Sequence, residues 1–387
     1  MNQEKYVFAQ LVEFLNNDKF RRLVDKYNGN HYVKHLTCWN QLLALMFGQL
    51  SNRESLRDLI LVMEAHRSKS FHLGFGRKPI AKTTLAKANQ QRNYRIFEEF
   101  AFYMMEQAQR KRAVDIFKLD GHVYAFDSTT IPLCLSVFWW ARYRHDKGGV
   151  KAHVLYDVEA QVPAFFHITE AAVNDARAMS EIPYESGAYY VFDRGYNALK
   201  QLFRIHQCGS FFVVRAKGNL KYRIVENAPR TRRNIREDQR ILLHEINSFH
   251  NYSDALRLVR YHDTDQKRDY VFLTNAFHLD ALEVANLYKN RWQIELFFKW
   301  LKQHLKIKRF WGTTENAVRI QISAAIIAYC LVAIVQHDLH IERSTYEVLQ
   351  ILSVSLTDKT PLRQLFERAK FDTAEEQIPP LWPQFFP

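Results

Sequence analysis

The feature that most constrains this chain is a change of periodicity near residue 113. Upstream, apolar residues recur at helical spacing in FAQLVEFLN, CWNQLLALMFGQL, ESLRDLILVMEAH and TTLAKANQQRNYRIFEEFAFYMMEQAQRKR, with almost no strand signal. Downstream come short runs rich in aromatic and β-branched residues: HVYAFDSTTI, VKAHVLYDV, VPAFFHITE, AYYVFDRGY and SFFVVRAK. Short connections join the first three, which predicts an antiparallel meander. Helical stretches, NDARAMSEI and NALKQLFRIHQ, flank the fourth and give the order β-β-β-α-β-α-β. That order predicts an α/β protein: a mixed sheet with flanking helices, behind an all-helical N-terminal region.

The rest of the chain divides on the same signals. Residues 1–112 read as the helical region and 113–216 as the first part of the α/β core. Residues 217–275 read as a β-rich insertion carrying QRILLHEI, ALRLVRYH and DYVFLT, 276–340 as the core continued, and 341–387 as a helical tail. Ser51 precedes Glu54 at capping-box spacing, and Thr83 stands where a cap for the fourth N-terminal helix is expected. The stretch NLYKNRWQIELFFKWLK, 286–302, predicts one helix. At about 100° per residue its Tyr288, Arg291, Glu295 and Lys302 fall within an arc of about 60°. An apolar stripe of Leu287, Ile294, Phe297, Phe298, Leu301 and Leu305 runs alongside. A fixed carboxylate flanked by cations suits a site for a metal and a phosphate, although Arg291 and Glu295 also match an ordinary surface i,i+4 pair.

Composition narrows the partner. An excess of 54 Lys and Arg over 41 Asp and Glu, a formal +13, points to a polyanion without choosing between DNA, RNA and an anionic membrane. Cys38, Cys134, Cys208 and Cys330 form no close pair, which argues against a disulfide framework or zinc knuckle and fits a reducing cytoplasm. The N-terminus lacks the basic start and apolar run of a signal peptide. The most apolar segment, 322–335, is short for a membrane span and reads as a buried core helix. The basic segment with Lys82, Lys87 and Arg92 reads either as part of a helical module entering a DNA groove or as a solvated helix. The run with Arg230, Arg232 and Arg233 reads as a solvated loop, or as a second DNA contact if the rest of the reading holds.

Two strands end in aspartate, YAFD at Asp127 and YVFD at Asp193, and ligand sites of open α/β sheets gather at strand ends. Either aspartate alone could simply cap a turn. With Glu295, three carboxylates suit two Mg²⁺ ions about 4 Å apart, with Mn²⁺ able to substitute, polarising a scissile phosphate and activating its attacking oxygen. Arg291 and Lys302 then suit phosphate oxygens beside the metals. His153 and Lys151 on the second strand, and Ser128 and Thr129 after Asp127, are weaker candidates. Trp139 and Trp140 read as core or interface.

The segments YAFDSTTI and VFDRGYN, with Tyr288-x2-Arg291-x3-Glu295-x6-Lys302, resemble the DDE transposases of bacterial insertion sequences, specifically the family numbered four with its Tyr-Arg-Glu-Lys signature. The resemblance runs from the helical N-terminal region through KGGVKAHVLYDV to the apolar helix near 330. It implies a ribonuclease H-like core, Asp127, Asp193 and Glu295 as the metal-binding catalytic triad, and Tyr288, Arg291 and Lys302 as contacts to transposon-end DNA. It further implies cut-and-paste cleavage at inverted-repeat ends, strand transfer into target DNA, and a homodimer bridging two ends. An aromatic of the insertion is expected to stack on a flipped base. With no Trp there, Tyr222, Phe249, Tyr252 and Tyr261 are the candidates. Another ribonuclease H-like nuclease and a domesticated DNA-binding copy are the alternatives.

Overall fold

The computed structural model describes residues 5–367, apart from 113, 115, 134–135, 139, 145–146, 230–231 and 305–309. The N-terminal region is helical: α1 Val7–Val12, α2 Asn17–Lys26, α3 Cys38–Leu50, α4 Leu56–Ala65, α5 Lys82–Gln91 and α6 Arg95–Arg112. Side chains of Asn16, Thr37 and Ser55 cap α2, α3 and α4 by accepting from backbone N–H groups three residues on. Three expectations change. Ser51 ends α3, and Ser55 with Asp58 caps α4 instead. Ala81, not Thr83, precedes α5. The single helix expected through 112 is two, because Arg92 adopts extended backbone (ψ 141°). The Asn316 side chain fills that break, donating to the Asn89 and Arg92 carbonyls at 2.9 and 2.6 Å. The amphipathic α2 adds a helix that the sequence reading did not contain.

The sheet starts with β1 Val123–Leu133, β2 Arg142–Arg144, β3 Lys147–Asp157 and β4 Val162–Glu170, antiparallel as expected, with β2 a short addition at the start of β3. After α7 Asp175–Ala178 comes β5 Tyr189–Phe192. After α8 Leu199–Gln207 comes β6 Phe211–Arg215, with β1, β5 and β6 mutually parallel neighbours. The order β4-β3-β1-β5-β6 is that of a ribonuclease H-like core. The insertion supplies β7 Tyr222–Asn227, β8 Ile235–Leu243, α9 Ile246–Asn251, β9 Leu256–Asp263 and β10 Arg268–Thr274. Among the described residues it makes no second sheet: β10 pairs with β6, extending one sheet to ten strands. Asn275 anchors the junction as a buried clamp, accepting from Phe212 N–H and donating to the Ser210 carbonyl.

Strand alternation buries both faces. Val123, Ala125, Tyr189, Val191 and Val213 point to one core, while Tyr124, Phe126, Tyr190, Phe192, Phe212 and Val214 point to the other. The first core holds α10 Ala281–Lys289, α11 Trp292–His304 and α12 Glu315–Asp338. α12 is long and apolar enough to cross a membrane, but its most apolar window is 94% buried within the protein. α13 Thr345–Ser355 and α14 Leu362–Phe366 follow. The helix expected over 286–302 is broken at Asn290 and Arg291, where N–H groups of Arg291, Gln293 and Ile294 reach back three residues rather than four. Leu287, Ile294, Phe297, Phe298 and Leu301 are buried as expected, and Leu305 lies outside the described residues.

Candidate active site

Register brings the first two carboxylates together. Parallel pairing of β1 with β5 runs from Val123 opposite Tyr189 to Phe126 opposite Phe192. Asp127 and Asp193 are therefore the next residues on neighbouring strands, which lie about 4.8 Å apart. Asp127 shares its strand face with Val123 and Ala125, the face that packs against α11.

The break between α10 and α11 aims three side chains at this edge. Tyr288, near the end of α10, donates its hydroxyl to Asp193 Oδ1 at 2.9 Å. Arg291, in the break, donates from one terminal nitrogen to Asp127 Oδ2 at 3.1 Å and from the other to Glu295 Oε1 at 2.5 Å. The Arg291 side chain is only 13% exposed, whereas that of Glu295 is 57% exposed at the mouth of the site. Asp127 Oδ1 also accepts from Ser128 N–H at 2.8 Å and Tyr196 hydroxyl at 3.3 Å.

The electrostatics follow from this packing. Burial pushes the Asp127 carboxyl up, and Asp193 adds to the rise, against the Ser128 N–H and the Arg291 charge. Burial also acts on Asp193, but the Arg194 N–H, the Tyr288 hydroxyl and Arg291 outweigh it and hold this carboxyl below its ordinary value. The Tyr288 phenol is pushed up to about 12 by burial and by Asp193, so it stays a hydrogen-bond donor.

The donor set fits a hard divalent cation: oxygen ligands only, with two like charges facing each other at strand ends. Among the described residues no three His, Cys, Asp or Glu side chains stand close enough to cage an ion. Arg291 instead supplies the positive charge between Asp127 and Glu295.

The other expected residues fall elsewhere. Lys302 is half-buried on α11, and Lys82 and Lys87 are exposed on α5. Arg232 and Arg233 are exposed in the insertion, and Arg230 and Trp139 lie outside the described residues. Arg92 departs from its expected role, because its guanidinium is turned inward onto the Leu36 and Thr37 carbonyls and Gln41. Of the four insertion aromatics, Tyr252 is buried against Phe203 and Phe212, Tyr222 and Tyr261 are half-buried, and Phe249 is exposed.

Sequence reasoning missed Asp175 and Tyr196. Asp175 Oδ1 accepts from Ser128 Oγ at 2.7 Å and lies 3.0 Å from Lys151 Nζ, which is almost fully buried. This pair links the residue after Asp127 to the second strand. The helical stretch NDARAMSEI was legible, but nothing local marks its Asp175 as a partner of Ser128.

A ribonuclease H-like sheet with two strand-end aspartates, met at the α10–α11 junction by Tyr288, Arg291 and Glu295, suits one class of protein, that of metal-dependent transfer at a nucleic-acid phosphodiester. The Transposase DDE domain family matches residues 118–331, and the chain belongs to it. It is a DNA transposase, and the chemistry of the family is metal-dependent DNA cleavage and strand transfer. The protein y4zB of Sinorhizobium fredii, named as a transposase, is 35% identical over 77% of this chain and 81% of its own length. A Geobacillus stearothermophilus protein named as a transposase for insertion sequence element IS5377 is 29% identical over 75% of this chain and 80% of its own. One of Synechocystis named for insertion sequence element IS4SA is 26% identical over 64% and 70%. Residues 3–76 match a domain of unknown function. A piggyBac transposase synaptic complex with hairpin DNA matches at TM-score 0.49 and 12% identity, over 100% of this chain and 87% of that one. That likeness is too weak to decide the fold, which rests on the strand order.

Proposed function

We propose that this chain is a cut-and-paste transposase of the Tyr-Arg-Glu-Lys subclass, with Asp127, Asp193 and Glu295 as its catalytic carboxylates and Mg²⁺ as the ion they hold. The observation that carries the reading is the register that sets Asp127 beside Asp193, together with the Arg291 bridge from Asp127 to Glu295. When bound, two such ions polarise the scissile phosphate and activate water or a 3′-hydroxyl. The chain's own residues prepare the site. Tyr288 orients Asp193, Arg291 offsets the repulsion among the carboxylates, and its guanidinium fork can pass from them to a phosphate oxygen of transposon-end DNA. Lys302 holds a phosphate further along the duplex. Exposed Arg232, Arg233, Lys82 and Lys87 extend the contact by charge.

The substrate is the pair of inverted-repeat ends of the element, bridged by a homodimer, with action in the bacterial cytoplasm. Free Cys38, Cys208 and Cys330 fit that reducing compartment. The test is Glu295→Gln in the full-length protein. Binding to end-containing duplex should persist within about twofold, while Mg²⁺-dependent cleavage falls by about 10³ or more. A purified Glu295→Gln protein that still cleaves at the parental rate removes Glu295 from the triad.

A further inference from the structure

Away from the carboxylates, one surface joins positive charge, an exposed ring and strained backbone. The turn between α2 and α3 carries Tyr32 at its tip, 91% exposed and at φ 57°. A bulky side chain is disfavoured in that left-handed region, and a ring in solvent contributes nothing to the core. The fold nevertheless holds it there from both ends. Asn30 Oδ1 accepts from Cys38 N–H at 2.8 Å, and Arg92 donates to the Leu36 and Thr37 carbonyls, the latter at 2.9 Å. Arg92 also terminates α5, so one guanidinium fixes the turn beside that helix.

Turn and helix enclose a groove of about 580 Å³, lined among others by Tyr32, Lys34, His35, Thr84, Lys87 and Gln91. The last three lie on α5 at i, i+3 and i+7, within an arc of about 60°, and all are exposed. This stripe is polar, unlike the apolar face that a membrane or a partner helix would need. Its residue types are those that read base edges in a major groove: glutamine for adenine, lysine for guanine, the threonine methyl for thymine.

We propose that this groove reads the sequence of duplex DNA, with Thr84, Lys87 and Gln91 at base edges, Tyr32 wedged against the adjoining base step and Lys34 on a phosphate. The proposal rests on the transposase reading above; Tyr32 and Lys34 lie within residues 3–76, which match a domain of unknown function, and Thr84, Lys87 and Gln91 lie just beyond it. Sequence preference then comes from the helical region, and the carboxylate site acts on whatever duplex is delivered to it.

The test uses the full-length protein and a duplex library with a randomised central stretch. Wild type should enrich a consensus. Gln91→Ala should flatten one or two of its positions, Tyr32→Ala should weaken binding to the enriched duplex about tenfold, and Lys34→Gln should lower the salt dependence of binding by about one ion. The carboxylate site should stay intact in all three, since none touches it: the rise in thermal midpoint that Mg²⁺ gives the DNA-free protein should match that of wild type. All three side chains are solvent-exposed, and matching far-UV circular dichroism establishes that each variant is folded. An unchanged consensus in Gln91→Ala with unchanged affinity in Tyr32→Ala overturns the proposal, as does a wild type that cleaves DNA in Mg²⁺ yet enriches nothing. A wild type that enriches a consensus yet cleaves neither that duplex nor any other DNA in Mg²⁺ overturns the transposase reading instead.

Discussion

At the scale of single residues, the site is a problem of like charges. Asp127 and Asp193 emerge side by side, and the protein answers with Arg291 on one and the Tyr288 hydroxyl on the other. A hydrogen bond to a charged group is worth about 1.5–3 kcal/mol. Tyr288→Phe should therefore slow cleavage by about 10- to 100-fold with duplex affinity nearly unchanged, as single-turnover cleavage and anisotropy would measure. A second residue makes stability depend on pH. His153 is fully buried, its Nδ1 lies 3.9 Å from Asp175 without a hydrogen bond, and burial lowers its pKa to about 4 from an ordinary 6.5. Between those values the unfolded chain takes up a proton that the folded protein refuses. This contribution to stability is whole above about pH 6.5 and is lost as pH falls towards 4, amounting to about 3 kcal/mol. His153→Gln should flatten that part of a denaturant midpoint-against-pH curve. The carboxylates were legible because strand-end aspartates and the helix spacing are patterns along the chain. Asp175 was not legible, because its tie to Ser128 and Lys151 exists only through space.

At the scale of elements, the same distinction explains the helices. The apolar spacing through 286–302 is continuous, so sequence periodicity reads one helix where the backbone breaks at Asn290 and Arg291. The break matters because it swings Arg291 towards Asp127. The other misread helix is split by Asn316, more than two hundred residues away, which no local window contains. The helix α10 begins at a full capping box, Asp280 with Glu283, and this fixes the element that presents Tyr288. Asp280→Ala should cost about 1 kcal/mol by chemical denaturation and lower cleavage with it. In the same core, a Cβ at Gly48 of α3 would meet the Trp311 ring at 2.5 Å. Gly48→Ala should destabilise by about 1–3 kcal/mol despite alanine's better helix propensity, because the rigid indole must move.

At the scale of the whole molecule, the question is whether the insertion is a separate unit. Its composition marked it as a distinct block, yet β10 pairs with β6 and the sheet continues without an edge between them. Arg257 makes the tie stronger. Nearly buried on β9, it forms a two-pronged pair with Asp238 of β8 at 2.8 and 2.7 Å, and its remaining terminal nitrogen donates to the Ala276 and Leu279 carbonyls just before α10. One side chain thus joins the insertion to the helix that aims Tyr288. Breaking a buried pair by removing one partner costs about 3–5 kcal/mol, because the other charge is stranded. None of the seven tryptophans lies within 217–275, so their fluorescence reports only on the rest of the chain. If core and insertion unfold together, Arg257→Ala must move the tryptophan-detected denaturation midpoint as far as the one seen by circular dichroism. A tryptophan midpoint that stays at the wild-type value would show instead that the insertion unfolds on its own, and that the continuous sheet does not make the two parts one cooperative body.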